Sequence, residues 1–395
     1  MMAFASAQML LLGSLLLGLG LGFLQLAPVE LLAQAISGLF MNFLKLLAGP
    51  IVFLAIFSTL MNMKNIHEMR GLAAKVFKYT LLTTIAATFV ALSLFLIINP
   101  INSSAGIQEA IQATLQESYF AFLMQIVPSN FVGAFLENNV LAIAFLGFIL
   151  GFASLKLPDD ERLVLSQFFN VLFKLMLKLA QFVIWIMPVG IWAFSVLLVK
   201  DLISDDSFFR IFKYLLVVFG ANLIQGVVVL PLFLKWKGIS PVFVFKNVTR
   251  ALVLAFFSKS SNATLPVALE CAQTNLGVSE KVSRFSLPLC TVINMNGCAA
   301  FILTTVLFVA GSNGHIFSLA DYAMWVILAT IAAIGNAGVP MGCFFLSSAF
   351  LIAMQVPLEL MGLILPFYAL LDMLETALNV WSDLCVTQVV DKEYH

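Results

Sequence analysis

Asp372, Glu375 and Asp383 put three carboxylates into one stretch, residues 371–383, whose neighbours on both sides read as membrane helix. At 3.6 residues per turn, Asp372, Thr376, Asn379 and Asp383 share one narrow helix face, with Glu375 at its edge and Leu374, Leu378 and Trp381 turned away. An ionised group at bilayer depth costs about 2.5–3.5 kcal/mol on insertion scales. Several on one helix need a polar pocket, bound ions or a substrate to offset them. The stretch reads as one wall of a transport site.

A second polar group interrupts an apolar run at Asn294-Met295-Asn296-Gly297. An amide is costly in lipid unless paired, and glycine lets a helix open and free carbonyls for a cation. The alternative is a helix–helix contact glued by the two amides. Two further breaks resemble each other: Ser260-Ser261-Asn262-Ala263-Thr264-Leu265-Pro266 and Gly335-Asn336-Ala337-Gly338-Val339-Pro340 both contain Asn-Ala-x-aliphatic-Pro. Their apolar arms are shorter than the roughly 20 residues a span requires, which suits re-entrant hairpins. A polar-faced helix follows each, over about 287–309 and 358–390. Broken helices in corresponding positions of a duplicated unit point to a substrate site between the copies.

The rest of the chain must hold these groups at membrane depth. Of its 395 residues 62% are hydrophobic and 10% charged, and the mean hydropathy of +1.06 excludes a soluble globular domain and implies a polytopic membrane protein in contact with the lipid bilayer. A formal net charge of zero gives nucleic acid no electrostatic reason to bind. Apolar stretches fall at about 8–27, 35–62, 77–99, 119–155, 164–199 and 208–234. The first, with no basic residues before it, reads as a spanning helix rather than a cleaved signal.

Lys64, Arg70, Lys75 and Lys78, and then Lys235, Lys237, Lys246 and Arg250, place their loops and the N-terminus in the cytoplasm by the positive-inside rule. The expected location is the cell membrane, multi-pass, with both termini cytoplasmic. Cys271, Cys290, Cys298, Cys343 and Cys385 lack metal-ligand spacing and are expected as free thiols. His67, His315 and His395 fall in loops or at the terminus, with no role assigned. The spans contain no histidine, and Asp372 and Asp383 stand about three turns apart, too far to share a proton. No phosphate-loop motif is present. An intramembrane enzyme and an ATP-driven pump are therefore disfavoured. An ion or anion channel is the competing class, although the polar residues converge near mid-depth instead of lining a continuous path.

Taken together, Ser258 to Pro266, Leu287-Pro288-Leu289 through Asn294-Met295-Asn296-Gly297, Ala337 to Pro340 and Asp372 to Asp383 resemble the dicarboxylate/amino acid:cation symporter family. Pro128-Ser129-Asn130 and Pro188-Val189-Gly190-Ile191 agree, and the likeness runs along nearly the whole chain. The family includes glutamate and neutral-amino-acid transporters and archaeal aspartate homologues. The resemblance implies an all-α membrane protein of eight transmembrane helices plus two re-entrant helical hairpins, built as inverted repeats and working as an elevator within a homotrimer. Residues 1–76 and 100–206 would form a scaffold, and 77–99 and 207–395 a mobile transport domain.

By position, the resemblance gives Asp372 to a substrate α-amino group. It gives Asn379 and Thr376 to the α-carboxylate, helped by Ser261 and by backbone amides around Gly338. A zwitterion does need one anion and several neutral donors. Asp383, with carbonyls around Asn294 and Asn379, would hold one Na+, and carbonyls beside Asn336 with the Asn-Met-Asn break a second. Thr83 and Thr84 match a third cation site, or are back-bonding hydroxyls in a packed helix.

Three residues depart from the family pattern. Glu375 stands where members that carry acidic substrates have an arginine, and Cys298 replaces an assisting threonine. An anion repels an anionic side chain, so a neutral or cationic amino acid is expected; a proton-coupled glutamate, aspartate or dicarboxylate carrier is the alternative. Three readings of Glu375 stand: it pairs with a cationic substrate, it is protonated beside a neutral one, or it pairs with Lys259. Asn296 replaces an aspartate at the third cation site, which weakens cation binding there, and a titratable buried Glu375 could couple H+ instead, beside Na+.

Overall fold

The computed structural model describes residues 2–61, 70–101, 127–136, 140–204, 207–334, 336 and 341–394, and every regular element among them is helical. Six helices among the described residues are long and apolar enough to cross a membrane. The chain opens with α1 (Met2–Phe23), α2 (Ala27–Met61) and α3 (Arg70–Ile98), followed by α4 (Phe131–Leu136) and α5 (Val140–Ser154). The sequence reads one segment over 119–155; part of it lies outside the described residues, and the rest is these two helices. Then come α6 (Asp159–Ser204) and α7, which runs from Ser207–Ile224 through a π-helical turn, Gln225–Val229, into Leu230–Trp236.

The first break is a helical hairpin. Pro241 starts α8 (Pro241–Ser258), where its missing N–H costs nothing, and Lys259 ends it in the left-handed region at φ 52°. Ser260 then caps α9 (Ser261–Glu270, continued by a π turn over Cys271–Asn275), accepting from the Ala263 N–H at 3.2 Å. A single left-handed residue followed by an N-cap thus reverses the chain, and the two arms pack on each other.

The next helix is split, as its amides suggest. α10 (Glu280–Ile293) stops at Asn294 (φ −103°, ψ 70°), and α11 (Asn296–Ser312) starts after Met295 (φ −108°, ψ 64°). Gly297 lies inside α11, however, so the opening is made by Asn294 and Met295. The glycine serves close packing: a Cβ there would meet the Glu375 Cα at 2.8 Å and Asn222 Oδ1 at 2.9 Å.

The second break lies between α12 (Leu319–Ile334) and α13 (Gly342–Ala353), with Met341 in the left-handed region at φ 59° before α13. Asn336 is described there; Gly338 lies outside the described residues. α14 (Glu359–Tyr394) completes the chain.

Among the described residues two large apolar cores form, beside a small cluster of Ala33, Ala193 and Val196. One takes in α2, α5, α6, α11, α12, α13 and the first half of α14, up to Leu371. The other takes in the ends of α3 and α7 together with α8, α9, α10 and α14 from Leu378 onward. Ile293 belongs to the second core and Met295 to the first. The Asn294 break and the Asp372–Asn379 face therefore lie on the seam between the cores, where polar groups interrupt neither apolar cluster.

Candidate functional site

At the seam, α3, α10, α11 and α14 exchange amide and hydroxyl hydrogen bonds. The Thr83 hydroxyl donates to Asn294 Oδ1 at 3.2 Å, and Thr84 donates to Asn296 Oδ1 at 2.8 Å. Thr83 Oγ1 also lies within bonding distance of the Tyr79 and Thr80 carbonyls. Thr83 is thus a back-bonding hydroxyl that also reaches the break, and Thr84 faces the break. Asn294 Nδ2 donates to Asp383 Oδ1 and to Ser382 Oγ, both at 3.0 Å, and Asn296 Nδ2 donates to the same serine at 2.7 Å. On α7, Gln225 Nε2 ties the π turn to the Thr83 carbonyl at 3.0 Å.

One turn earlier on α14, Asn379 Oδ1 accepts from the Gly297 N–H at 2.8 Å, a donor freed because it opens α11. Asn379 Nδ2 points at Cys298 Sγ, 3.4 Å away, and Asn336 Nδ2 reaches Cys298 Sγ at 3.0 Å and Cys343 Sγ at 3.4 Å. Glu375 joins this group: its carboxylate and the two sulfurs lie within 4.8 Å of one another. Asp372, Thr376 and Ser261 are buried too, Asp372 and Thr376 on α14 and Ser261 at the start of α9, which packs against it. Thr376 donates to the Asp372 carbonyl at 2.7 Å.

Of the expected site residues, the structure brings together Thr83, Thr84, Asn294, Asn296, Asn379 and Asp383, and separately Cys298, Asn336 and Glu375. Among the described residues no salt bridge joins Lys259 to Asp372 or Glu375. Sequence reasoning missed Ser382, Gln225 and Cys343. Each is a single small or amide side chain in an apolar stretch, without a motif of its own.

The buried oxygens left without a donor say what the site can hold. Asp383 Oδ2, Asn222 Oδ1, Gln225 Oε1, Asn336 Oδ1 and both oxygens of Glu375 are buried and unpaired. Buried polar groups are normally satisfied. All of these oxygens are acceptors on amides or carboxylates. An incoming cation or a donor-rich ligand would satisfy them, and the oxygen set around Asp383 suits a hard cation carried as cargo.

A family model described as the sodium:dicarboxylate symporter family matches residues 7–393. The chain belongs to that family. Its relatives include the neutral amino acid transporter B(0) of Homo sapiens, 27% identical over 93% of this chain and 75% of that protein, and its counterpart in Oryctolagus cuniculus, 26% identical over 92% and 74%. An excitatory amino acid transporter of Caenorhabditis elegans is 27% identical over 94% and 84%. This member of the sodium:dicarboxylate symporter family is thus a multi-pass membrane transporter and not an enzyme. Within it, the buried polar network lies at the junction of α3, α7, α11 and α14, and the thiol–carboxylate group lies beside the second break.

Proposed function

We propose that the protein is a secondary symporter that couples Na+ entry to uptake of an amino acid, neutral or cationic and not acidic. The observation that carries the reading is Glu375: it is 1% exposed, and among the described residues no cationic side chain pairs with it and no N–H or O–H donates to it, its neighbour being the weak Cys343 thiol. An acidic substrate side chain would add a second uncompensated anion there, at a prohibitive cost in a buried site. A neutral side chain would leave the carboxyl protonated, and an ammonium or guanidinium would pair with it. Relatives named as neutral amino acid transporters support this side of the choice.

In this reading Asp372 takes the substrate amine, and Thr376, Asn379, Ser261 and the amides around Gly338 take its carboxylate. Asp383 with the Asn294 break holds Na+. The unpaired Asn336 Oδ1 supports a second cation at the second break, and the Thr84–Asn296 contact marks a weakened third. H+ is the competing coupling ion.

The same reading assigns eight transmembrane helices and two re-entrant hairpins, α8–α9 and α12–α13, with both termini cytoplasmic. α1, α2, α4, α5 and α6 act as a scaffold in a homotrimer, and α3 and α7 to α14 as an elevator. The close packing of α1 and α2 on α6 supports the scaffold, as do its exposed Leu16, Leu31, Val164 and Trp185, which need lipid or a second copy to cover them. The test is a thermal-shift screen of the purified protein against the twenty amino acids, with Na+ and then K+ as the only cation. A ligand that binds the folded state raises its melting temperature. Stabilisation by a neutral or basic amino acid in Na+ alone is expected; stabilisation by glutamate or aspartate only would overturn the reading.

A further inference from the structure

Cys298 at the start of α11, Cys343 at the start of α13 and Glu375 on α14 come from three different helices. All three side chains are buried, at 4%, 2% and 1% exposure. Their ligand atoms lie within 4.8 Å of one another, so a point exists no more than about 2.8 Å (4.8/√3) from all three. Zinc–sulfur and zinc–oxygen bonds are about 2.3 and 2.0–2.2 Å. Closing that gap takes side-chain shifts of at most about 0.8 Å. No thiol pairs in a disulfide, and among the described residues no N–H or O–H donates to either Glu375 oxygen. The buried carboxylate and the two sulfurs surround one point, with the Asn336 amide 3.0 and 3.4 Å from the sulfurs.

We infer that this cluster binds one thiophilic divalent cation, of the Zn2+ or Cd2+ class, at the contact of α11, α13 and α14. Two soft thiolates and one carboxylate select such an ion over Mg2+ or Ca2+, which take oxygen ligands. Binding forms two metal–sulfur bonds and one metal–oxygen bond, breaks two S–H bonds and the O–H bond of a protonated Glu375, and releases those protons to solvent. One coordination position stays open for water. The charge balances: two thiolates and a carboxylate around a dication leave a net charge of −1, no more than that of an ionised Glu375 alone. The inference goes beyond the transport reading, since it needs neither substrate nor sodium. Its consequence is mechanical: the ion would tie the second break to α11 and α14.

The test titrates ZnCl2 and CdCl2 into the full-length protein in detergent without amino acid. Stoichiometry is read by calorimetry, and coordination by the ultraviolet thiolate-to-cadmium absorbance. One saturable equivalent per chain is expected. Binding should be lost in Cys298→Ser/Cys343→Ser, weakened about ten-fold or more in Glu375→Gln, and retained when Cys271, Cys290 and Cys385 are replaced by serine together. A measurement on the unaltered protein stands beside these: Cd2+ should protect Cys298 and Cys343, and not the other three thiols, from alkylation mapped by mass spectrometry. No saturable binding, or binding without thiolate absorbance and without selective protection, would overturn the inference. So would binding that persists in the double variant.

Discussion

Asn294 Nδ2 holds Asp383 Oδ1 at 3.0 Å while Asp383 Oδ2 stays buried without a partner. One oxygen is fixed by the helix break and the other is free to coordinate, so the carboxylate is both positioned and unsatisfied. Asp383→Asn would keep the shape and remove the charge. We expect the Na+ concentration for half-maximal stabilisation by substrate to rise about ten-fold or more, equivalent to about 1.4 kcal/mol. The measurement is the melting temperature against Na+ at fixed amino acid. An unchanged Na+ dependence would place the cation elsewhere.

Ser382 is the acceptor shared by Asn294 and Asn296, at 3.0 and 2.7 Å. In Ser382→Ala, Asn296 Nδ2 loses its acceptor, whereas Asn294 Nδ2 keeps Asp383. A buried donor left unmade costs about 1–3 kcal/mol. The melting temperature without ligand should fall accordingly, and should fall less in Ser382→Thr, which retains the hydroxyl. Equal losses in both variants would show that packing, and not the amide bond, sets the effect.

The break at Asn294-Met295 and the polar face of α14 were legible because amides and carboxylates in an apolar run need partners, whether from a neighbouring helix or from a ligand. Ser382 was not, although it adjoins Asp383, because a serine in a membrane helix is commonly satisfied by its own backbone. Cys343 gave no signal for a different reason: a thiol is a small apolar residue until the fold sets a second one beside it, and 45 positions separate it from Cys298. The seam between the two cores was hidden as well, since Leu, Val and Ile look alike on either side. Gly297 was legible as important but misjudged in role. Its neighbour across the interface, Glu375, is visible only in three dimensions.

That neighbour sets a strict prediction. In Gly297→Ala the added Cβ would lie 2.8 Å from the Glu375 Cα, and a backbone atom cannot rotate away. Overpacking of this kind costs about 1–3 kcal/mol, and relief requires α11 and α14 to separate. We expect a lower melting temperature together with loss of amino-acid stabilisation. Full retention of ligand binding would mean that the contact is slack.

At the other end of α14, Lys237 Nζ donates to Glu393 Oε1 and to Tyr79 Oη, both at 2.6 Å, and Lys392 Nζ reaches the Lys237 and Gly238 carbonyls at 2.8 and 2.9 Å. The Glu393 bond holds the Lys237 ammonium above its ordinary range, followed by the Tyr79 bond. A lysine whose folded value is raised contributes stability that is complete at neutral pH and is lost only as pH climbs through that value. Lys237→Met should lower stability by about 1 kcal/mol or less at pH 7, because the pair is partly exposed. The difference between variant and parent should vanish in strongly alkaline buffer. A difference that grows with pH would contradict the assignment.

Glu375→Arg inverts the charge at the position that decides substrate class in our reading. A guanidinium there would face Cys298, Cys343 and Asn336 and could grip a carboxylate with two parallel hydrogen bonds. The parent should be stabilised by neutral or basic amino acids in Na+ and left unmoved by aspartate. The variant should gain aspartate and lose any basic amino acid that the parent binds. Glu375→Gln separates charge from shape: it should keep neutral substrates and lose only basic ones. If both variants retain the parent's ranking of amino acids, Glu375 does not read the substrate side chain, and selectivity must come from the walls contributed by α9 and α13.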